Sequence, residues 1–204
     1  SLLGSGERLG RLVISRSWWE GLLGRLHRFL SDYHRRYPLR LGMPREELKS
    51  KLGFPSRLFN TILAQAATEG VVVEEGASVR LPSHQVRFSP QEERRVKEFL
   101  ARMAQDPYST PSVKEGQEMI GEGVLNALVE QGKLVRVSDN VLFLADAYEK
   151  MKRQVVEHIE GQGGITLAQV RDIFKTSRKY AQAFLEHLDA QGVTKRVGDK
   201  RVLR

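Results

Sequence analysis

The chain has 204 residues, with 33 Lys+Arg against 25 Asp+Glu, a formal net charge of +8 and no cysteine. That length allows one to three domains of about 50–200 residues, and the missing cysteines exclude disulfide frameworks, thiolate metal sites and cysteine nucleophiles. No run approaches the ~18 apolar residues of a membrane span and no signal-peptide pattern occurs. With cysteine absent, a reducing cytoplasm is the expected setting. The first residue is Ser1 rather than Met, and the chain is expected to be a fragment of something longer.

From Trp18 to about Arg36 the apolar residues Trp18, Leu22, Leu26, Phe29, Leu30 and Tyr33 recur at helical spacing, and Pro38 stops the pattern. Pro44 with Glu46-Glu47 opens a second helix, where acidic side chains favour the N-terminus. Phe54-Pro55-Ser56 breaks the chain before a third. Then comes Leu63-Ala-Gln-Ala-Ala-Thr-Glu-Gly70, a short strand at Val71–Val73, turn residues at Glu75–Ser78 and a second strand at Val79–Leu81.

The same order returns twice. Ser89-Pro90-Gln91-Glu92 is a capping box with proline at the first helical position. Pro111-Ser112 and Ile120-Gly121 bracket a shorter helix, and Leu125 to Gln131 leads to Gly132, with strands at Leu134–Val137 and Val141–Leu144. In the last copy Asp146 to about Glu160 is the first helix, and Gly163-Gly164-Ile165 is a short strand. Thr166 caps Leu167–Phe174, and Thr176 or Ser177 caps a helix running to Gln191. Strands at Val193–Val197 and Arg201–Leu203 follow Gly192. The glycines 70, 132 and 192 stand 62 and 60 residues apart, each with a leucine seven residues earlier. Each falls where a left-handed helix cap favours a residue without Cβ. The fold class read from this repetition is mainly α with small two- to three-stranded antiparallel wings, a tandem of winged-helix modules at 17–83, 84–144 and 145–204. One all-helical array with irregular loops is the alternative.

Charge is unevenly placed: +3 over 17–83, −1 over 84–144 and +4 over 145–204. In the last module the third helix begins Lys175-Thr176-Ser177-Arg178-Lys179, with Gln182 one turn on and Arg171 before it. The wing carries Lys195, Arg196, Lys200 and Arg201 around Gly198-Asp199, with Arg204 at the end. A helix N-terminus and a basic wing can straddle a sugar-phosphate backbone. A solvated face is the plain alternative for these charges. The corresponding middle helix, Glu122–Gln131, has no basic residue. Residues 145–204 are therefore expected to be the main nucleic-acid-binding module and to carry most of the binding alone. No phosphate-binding glycine loop, zinc-binding histidine pair or pocketed carboxylate pair occurs, so no catalytic residue, metal or cofactor is expected.

The stretch from Lys175 to Arg204 resembles the C-terminus of the bacterial selenocysteine-specific elongation factor (SelB) family. The matching residues are Ser177, Arg178, Lys179, Leu188, Asp189, Gly192, Thr194, Arg196, Gly198, Asp199 and Arg201. Tyr33-His34, Tyr37-Pro38-Leu39-Arg40, Gly42 and Glu46-Glu47-Leu48 are similar to another stretch of that family. The resemblance implies binding of a selenocysteine insertion (SECIS) hairpin in mRNA, which tethers delivery of selenocysteinyl-tRNA to a recoded UGA codon on the ribosome. It makes residues 145–204 the main RNA-binding module. The GTP-binding and tRNA-binding parts would precede Ser1, and residues 1–16 would be a linker or the end of a preceding module. The expected partner is an mRNA stem-loop met by a monomer, with no membrane. A DNA-binding transcriptional regulator and a protein-interaction scaffold are the other readings.

Overall fold

The computed structural model describes residues 6–9 and 12–204, with side chains from Ser15 onward. The expectation for residues 1–16 lies partly outside the described residues. Strands β1 (Gly6–Leu9) and β2 (Leu12–Ser15) pair antiparallel and run directly into the first helix. The chain forms two compact units, one ending at Arg87 and the other spanning Phe88–Arg204.

In the first unit α1 (Arg16–Arg36) starts where the Ser15 hydroxyl accepts from Trp18 N–H at 3.3 Å. It buries Trp19, Leu22, Leu26, Leu30 and His34, a spacing of three and four that makes one continuous face. Strand β3 (Met43–Pro44) leads into α2 (Arg45–Leu52), α3 (Ser56–Thr68), β4 (Val73–Glu75) and β5 (Ser78–Arg80). The sheet order is β3-β5-β4. The first strand after Gly70 was expected at 71–73. It starts at Val73 because the Val71 and Val72 amides bond back to the Ala66 carbonyl and close the helix end. Strand β3 carried no sequence signal, being two residues long and ending in proline. Gly42 permits it: a Cβ there would lie 2.6 Å from the Val79 carbonyl oxygen. Leu26, Leu30, Leu48, Phe59, Ile62 and Leu63 fill the core with at most 1% exposure, each contributing roughly 1.5–3 kcal/mol.

The second unit holds α4 (Pro90–Gln105), α5 (Val113–Ile120), α6 (Glu122–Glu130) and the hairpin β6 (Leu134–Arg136) and β7 (Leu142–Leu144). There follow α7 (Ala145–Gln162), β8 (Ile165–Thr166), α8 (Leu167–Phe174), α9 (Arg178–Ala190), β9 (Thr194–Val197) and β10 (Lys200–Leu203), with sheet order β8-β10-β9. Ser89, Ser112 and Thr166 each close a capping box with the Glu92, Glu115 and Gln169 side chains. Only the first of these boxes was read from sequence. One hydrophobic core takes in Val141 and Phe143 of the β6–β7 hairpin region together with Met151, Val155, Phe174, Phe184 and Leu188. The described residues thus form a tandem of winged helices, mainly α with small antiparallel wings.

A register of 122 residues runs without a gap from Gly42–Leu81 to Gly164–Leu203. It superimposes α2 on α8 and α3 on α9 residue for residue, with both members of each pair equal in length at 8 and 13 residues.

Candidate nucleic-acid interface

Helix α9 places Arg178, Gln182 and Glu186 on one face, four residues apart. The β9–β10 hairpin faces them across a two-residue turn, Gly198-Asp199, in which Gly198 has φ +61°. Between them lies an open cleft of about 250 Å³, lined by Leu167, Arg178, Gln182, Glu186, Arg196, Asp199 and Arg201. It is smaller than the roughly 300–1,000 Å³ typical of drug-sized ligands.

The donors and acceptors are arranged rather than loose. Arg196 Nε donates to the Gly198 carbonyl at 3.0 Å, which ties that side chain along the wing. Gln182 donates to Glu186 at 2.9 Å, leaving the rest of its amide for a ligand. Arg178 is exposed and carries no partner, so its fork is available. Leu167 supplies an apolar wall. Carboxylates at Asp199 and Glu186 would repel a phosphate but can accept from base N–H groups.

Five of the residues proposed from sequence, Arg178, Gln182, Arg196, Asp199 and Arg201, meet at this cleft. Lys195, Gly198 and Lys200 are exposed on the wing outside it, and Arg204 closes the chain beside Gly192. Arg171, Lys175, Ser177 and Lys179 are exposed around the α8–α9 turn, with Lys179 Nζ 5.1 Å from the Tyr180 ring centre. Ser177 is the N-cap residue of α9, yet its side chain makes no capping bond.

Two expectations need correction. Thr176 is 8% exposed, and its hydroxyl donates to the Tyr108 carbonyl, so it neither caps α9 nor faces a ligand. Arg201 is 7% exposed and its Nε lies 3.3 Å from Asp189 Oδ2. It forms the cleft floor instead of a mobile wing-tip charge. Both depart from the charge pattern for one reason: a polar side chain pointing inward looks the same in sequence as one pointing outward. Sequence reading missed Leu167, taken as a helix start, and Glu186. The spacing 178-182-186 was the signal that would have placed Glu186 on the same face.

At the matching junction of the first unit an arginine bridges helix and wing. There Arg45 occupies the Leu167 position, bonding Asn60 Oδ1 at 3.0 Å and pairing with Glu74, with its guanidinium 5.5 Å from the Phe59 ring centre. Asn60 and Glu74 stand at the positions of Gln182 and Arg196 in the 122-residue register. The middle module has Glu122 where the last has Gln182, counting back from Gly132 and Gly192.

Among the described residues no group of three His, Asp or Glu is placed to hold a metal, and no helix is long and apolar enough to cross a membrane.

Two family models described as elongation factor SelB, winged helix, match residues 27–81 and 157–203, together half of the chain. The chain belongs to the SelB winged-helix family. It is 28% identical over 193 residues to the selenocysteine-specific elongation factor of Desulfomicrobium baculatum, covering 91% of this chain and 30% of that protein. It is 23% identical over 183 residues to the same factor of Haemophilus influenzae, covering 86% of this chain and 30% of that protein. The chain therefore spans about 30% of the length of these relatives. Among solved structures, the mRNA-binding domain of SelB from E. coli in complex with SECIS RNA matches with a TM-score of 0.47 and 20% identity, over 57% of this chain and 99% of that one. The crystal structure of a bacterial EF-Sec matches with a TM-score of 0.48 and 17% identity, over 100% of this chain and 32% of that one. Both relatives matched in sequence are SelB factors, and the family models fall on the first winged helix and on the one that holds the open cleft.

Proposed function

We propose that this SelB-family chain is an mRNA-hairpin-binding region, and that the cleft between α9 and the β9–β10 wing receives a base from the loop of a SECIS stem-loop. The observation that carries the proposal is the open cleft itself, lined by Arg178, Gln182, Arg196 and Asp199, in a chain whose other two α-helix–wing junctions are bridged by Arg45 or acidic. An A-form stem hides its base edges in a deep narrow groove, so sequence is read at loops and bulges. A small cleft with an apolar wall, a cationic rim and carboxylate acceptors suits one unstacked base. Lys195 and Lys200 on the wing, Lys179 on α9 and Arg204 are exposed and would offer charge to the flanking phosphates.

In this reading the modules divide at 17–83, 84–144 and 145–204, and residues 1–16 are a linker or the end of a preceding module. The whole factor would bind GTP and selenocysteinyl-tRNA through parts outside this chain and work on the ribosome in the cytoplasm. This region binds, and carries no catalytic group or cofactor of its own.

Mobility shift with a stem-loop RNA, its unlooped duplex and a DNA duplex of equal length tests the proposal. Preference for the stem-loop of tenfold or more supports it. Equal binding of the DNA duplex would instead favour a transcriptional regulator, and binding of none would leave a protein-interaction scaffold.

A further inference from the structure

Lys175 is the C-cap residue of α8, the first of three residues leading to α9, with φ +47° and ψ +43°. It is the one non-glycine with positive φ among the described residues. In the 122-residue register its counterpart is Gly53, with φ +72°, and the middle module turns at Gly121, with φ +86°. The first module thus uses glycine where the last uses a long cation, in a conformation that a Cβ disfavours. Such a turn persists only where its surroundings fix it.

The surroundings come from residues 108–110, in the loop between α4 and α5. The Thr176 hydroxyl donates to the Tyr108 carbonyl and lies 3.4 Å from the Ser109 hydroxyl. The Tyr180 hydroxyl donates to the Thr110 carbonyl at 2.6 Å. The Tyr108 ring meets Phe174 edge-on at 5.2 Å, on the other side of the turn. Residues 174, 176 and 180 are therefore all held by one short segment, and the exposed residues between them are Lys175, Ser177, Arg178 and Lys179.

We propose that residues 108–110 are a clamp that positions Lys175 and the first turn of α9 against an RNA backbone, Lys175 itself contacting phosphate. The proposal rests on the RNA reading given above and deepens it. Thr176, Tyr180 and Tyr108 are positioning residues, while Lys175 is a contact residue whose strained backbone is kept for the sake of its charge. RNA binding by the last module then needs the middle one, although the middle one has no basic reading helix.

The test uses the whole chain and a labelled RNA stem-loop taken from a loop-randomised pool by wild-type binding. Lys175→Gly relieves the turn and removes the charge. The midpoint of thermal unfolding should rise or hold, while affinity falls three- to tenfold and the slope of log K against log salt shrinks by ~0.9. The pair Thr176→Val with Tyr180→Phe should weaken binding about tenfold at a temperature where the protein remains folded, and Thr176→Ser should restore the Thr176 part. If Lys175→Gly raises the unfolding midpoint and leaves affinity and salt slope unchanged, Lys175 is no contact and the proposal falls. If the unclamped double variant binds as the wild type does, the clamp falls while the RNA reading stands, provided Arg178→Ala weakens binding in the same assay. A wild type that selects no stem-loop overturns both.

Discussion

Asp189 joins two elements of the last module: one carboxylate oxygen lies 3.3 Å from Arg201 Nε on β10, and the other accepts from the Thr194 hydroxyl of β9 at 2.6 Å. The C-terminal end of α9 is thereby pinned to both strands of the wing, which fixes the width of the cleft at its floor. Asp189, Thr194 and Arg201 are all part of the stretch similar to SelB. Arg201→Ala should lower unfolding stability by about 1–3 kcal/mol, because a largely buried carboxylate loses its partner. Asp189→Asn should do the same, and the double variant should cost less than the two singly. Denaturant unfolding of the three variants checks this, and full additivity would mean the pair is uncoupled.

Lys200 and Arg178 should differ in kind. Lys200 is exposed on a hairpin that presents charge without fixing its direction, so Lys200→Ala should weaken all RNAs alike and reduce the salt slope by ~0.7–0.9. Arg178 stands on a helix facing the cleft. Its replacement by Ala should cost on the order of 1–3 kcal/mol of binding and narrow the gap between a cognate and a scrambled loop. Titration of both variants against both hairpins at two salt concentrations separates the roles. An unchanged cognate-to-scrambled ratio for Arg178→Ala would move the reading to the wing.

Arg45 should behave as a structural bridge. Its bonds to Asn60 and Glu74 tie helix to wing in the first unit, so Arg45→Ala should destabilise that unit by roughly 1–2 kcal/mol and leave RNA affinity unchanged. Both tryptophans, Trp18 and Trp19, lie on α1, so fluorescence reports the first unit's unfolding. A tenfold loss of RNA binding at unchanged fold would mean that Arg45 contacts RNA.

His34 makes the same unit sensitive to acid. Burial first, then the charges of His84 and Arg80, lower its pKa from the ordinary 6.5 to about 4, and its neutral Nε2 accepts from the Leu81 amide at 3.2 Å. Because the folded value lies below the unfolded one, the stabilisation is complete above pH 6.5 and is lost as pH falls toward 4. The first unit should lose about 1–2 kcal/mol between pH 7 and pH 5 by tryptophan-monitored unfolding. His34→Gln should flatten that dependence, and a slope that persists in the variant would assign it elsewhere.

The helices and wings were legible because three features coincide in each copy: an apolar stripe, a glycine cap and a turn between short β runs. Gly70, Gly132 and Gly192 do adopt φ of +70°, +68° and +71°. Half of the site was legible as charge, but its inner surface was not. Arg201 and Arg196 are both wing arginines in sequence and face each other across the β9–β10 ladder, yet only Arg201 is held down by Asp189. The tie between Thr176 and Tyr108 spans 68 residues and involves a backbone carbonyl, which leaves no trace in side-chain pattern. For the same reason, the sequence did not show that Phe143, Tyr108 and Thr110, all outside residues 145–204, pack on or bond to α8 and α9.

The central claim, that the α9–wing cleft holds a base from an RNA loop, is tested most directly by crosslinking. A stem-loop carrying a photoreactive uridine in its loop is bound to the whole chain, irradiated, and the adduct mapped by peptide mass. Adducts confined to the segments holding Arg178, Gln182, Arg196 and Asp199, and lost when the same uridine is placed in the paired stem, are the predicted result. Adducts on α1–α3, or on α4–α6, with the cleft segments unlabelled would contradict the account.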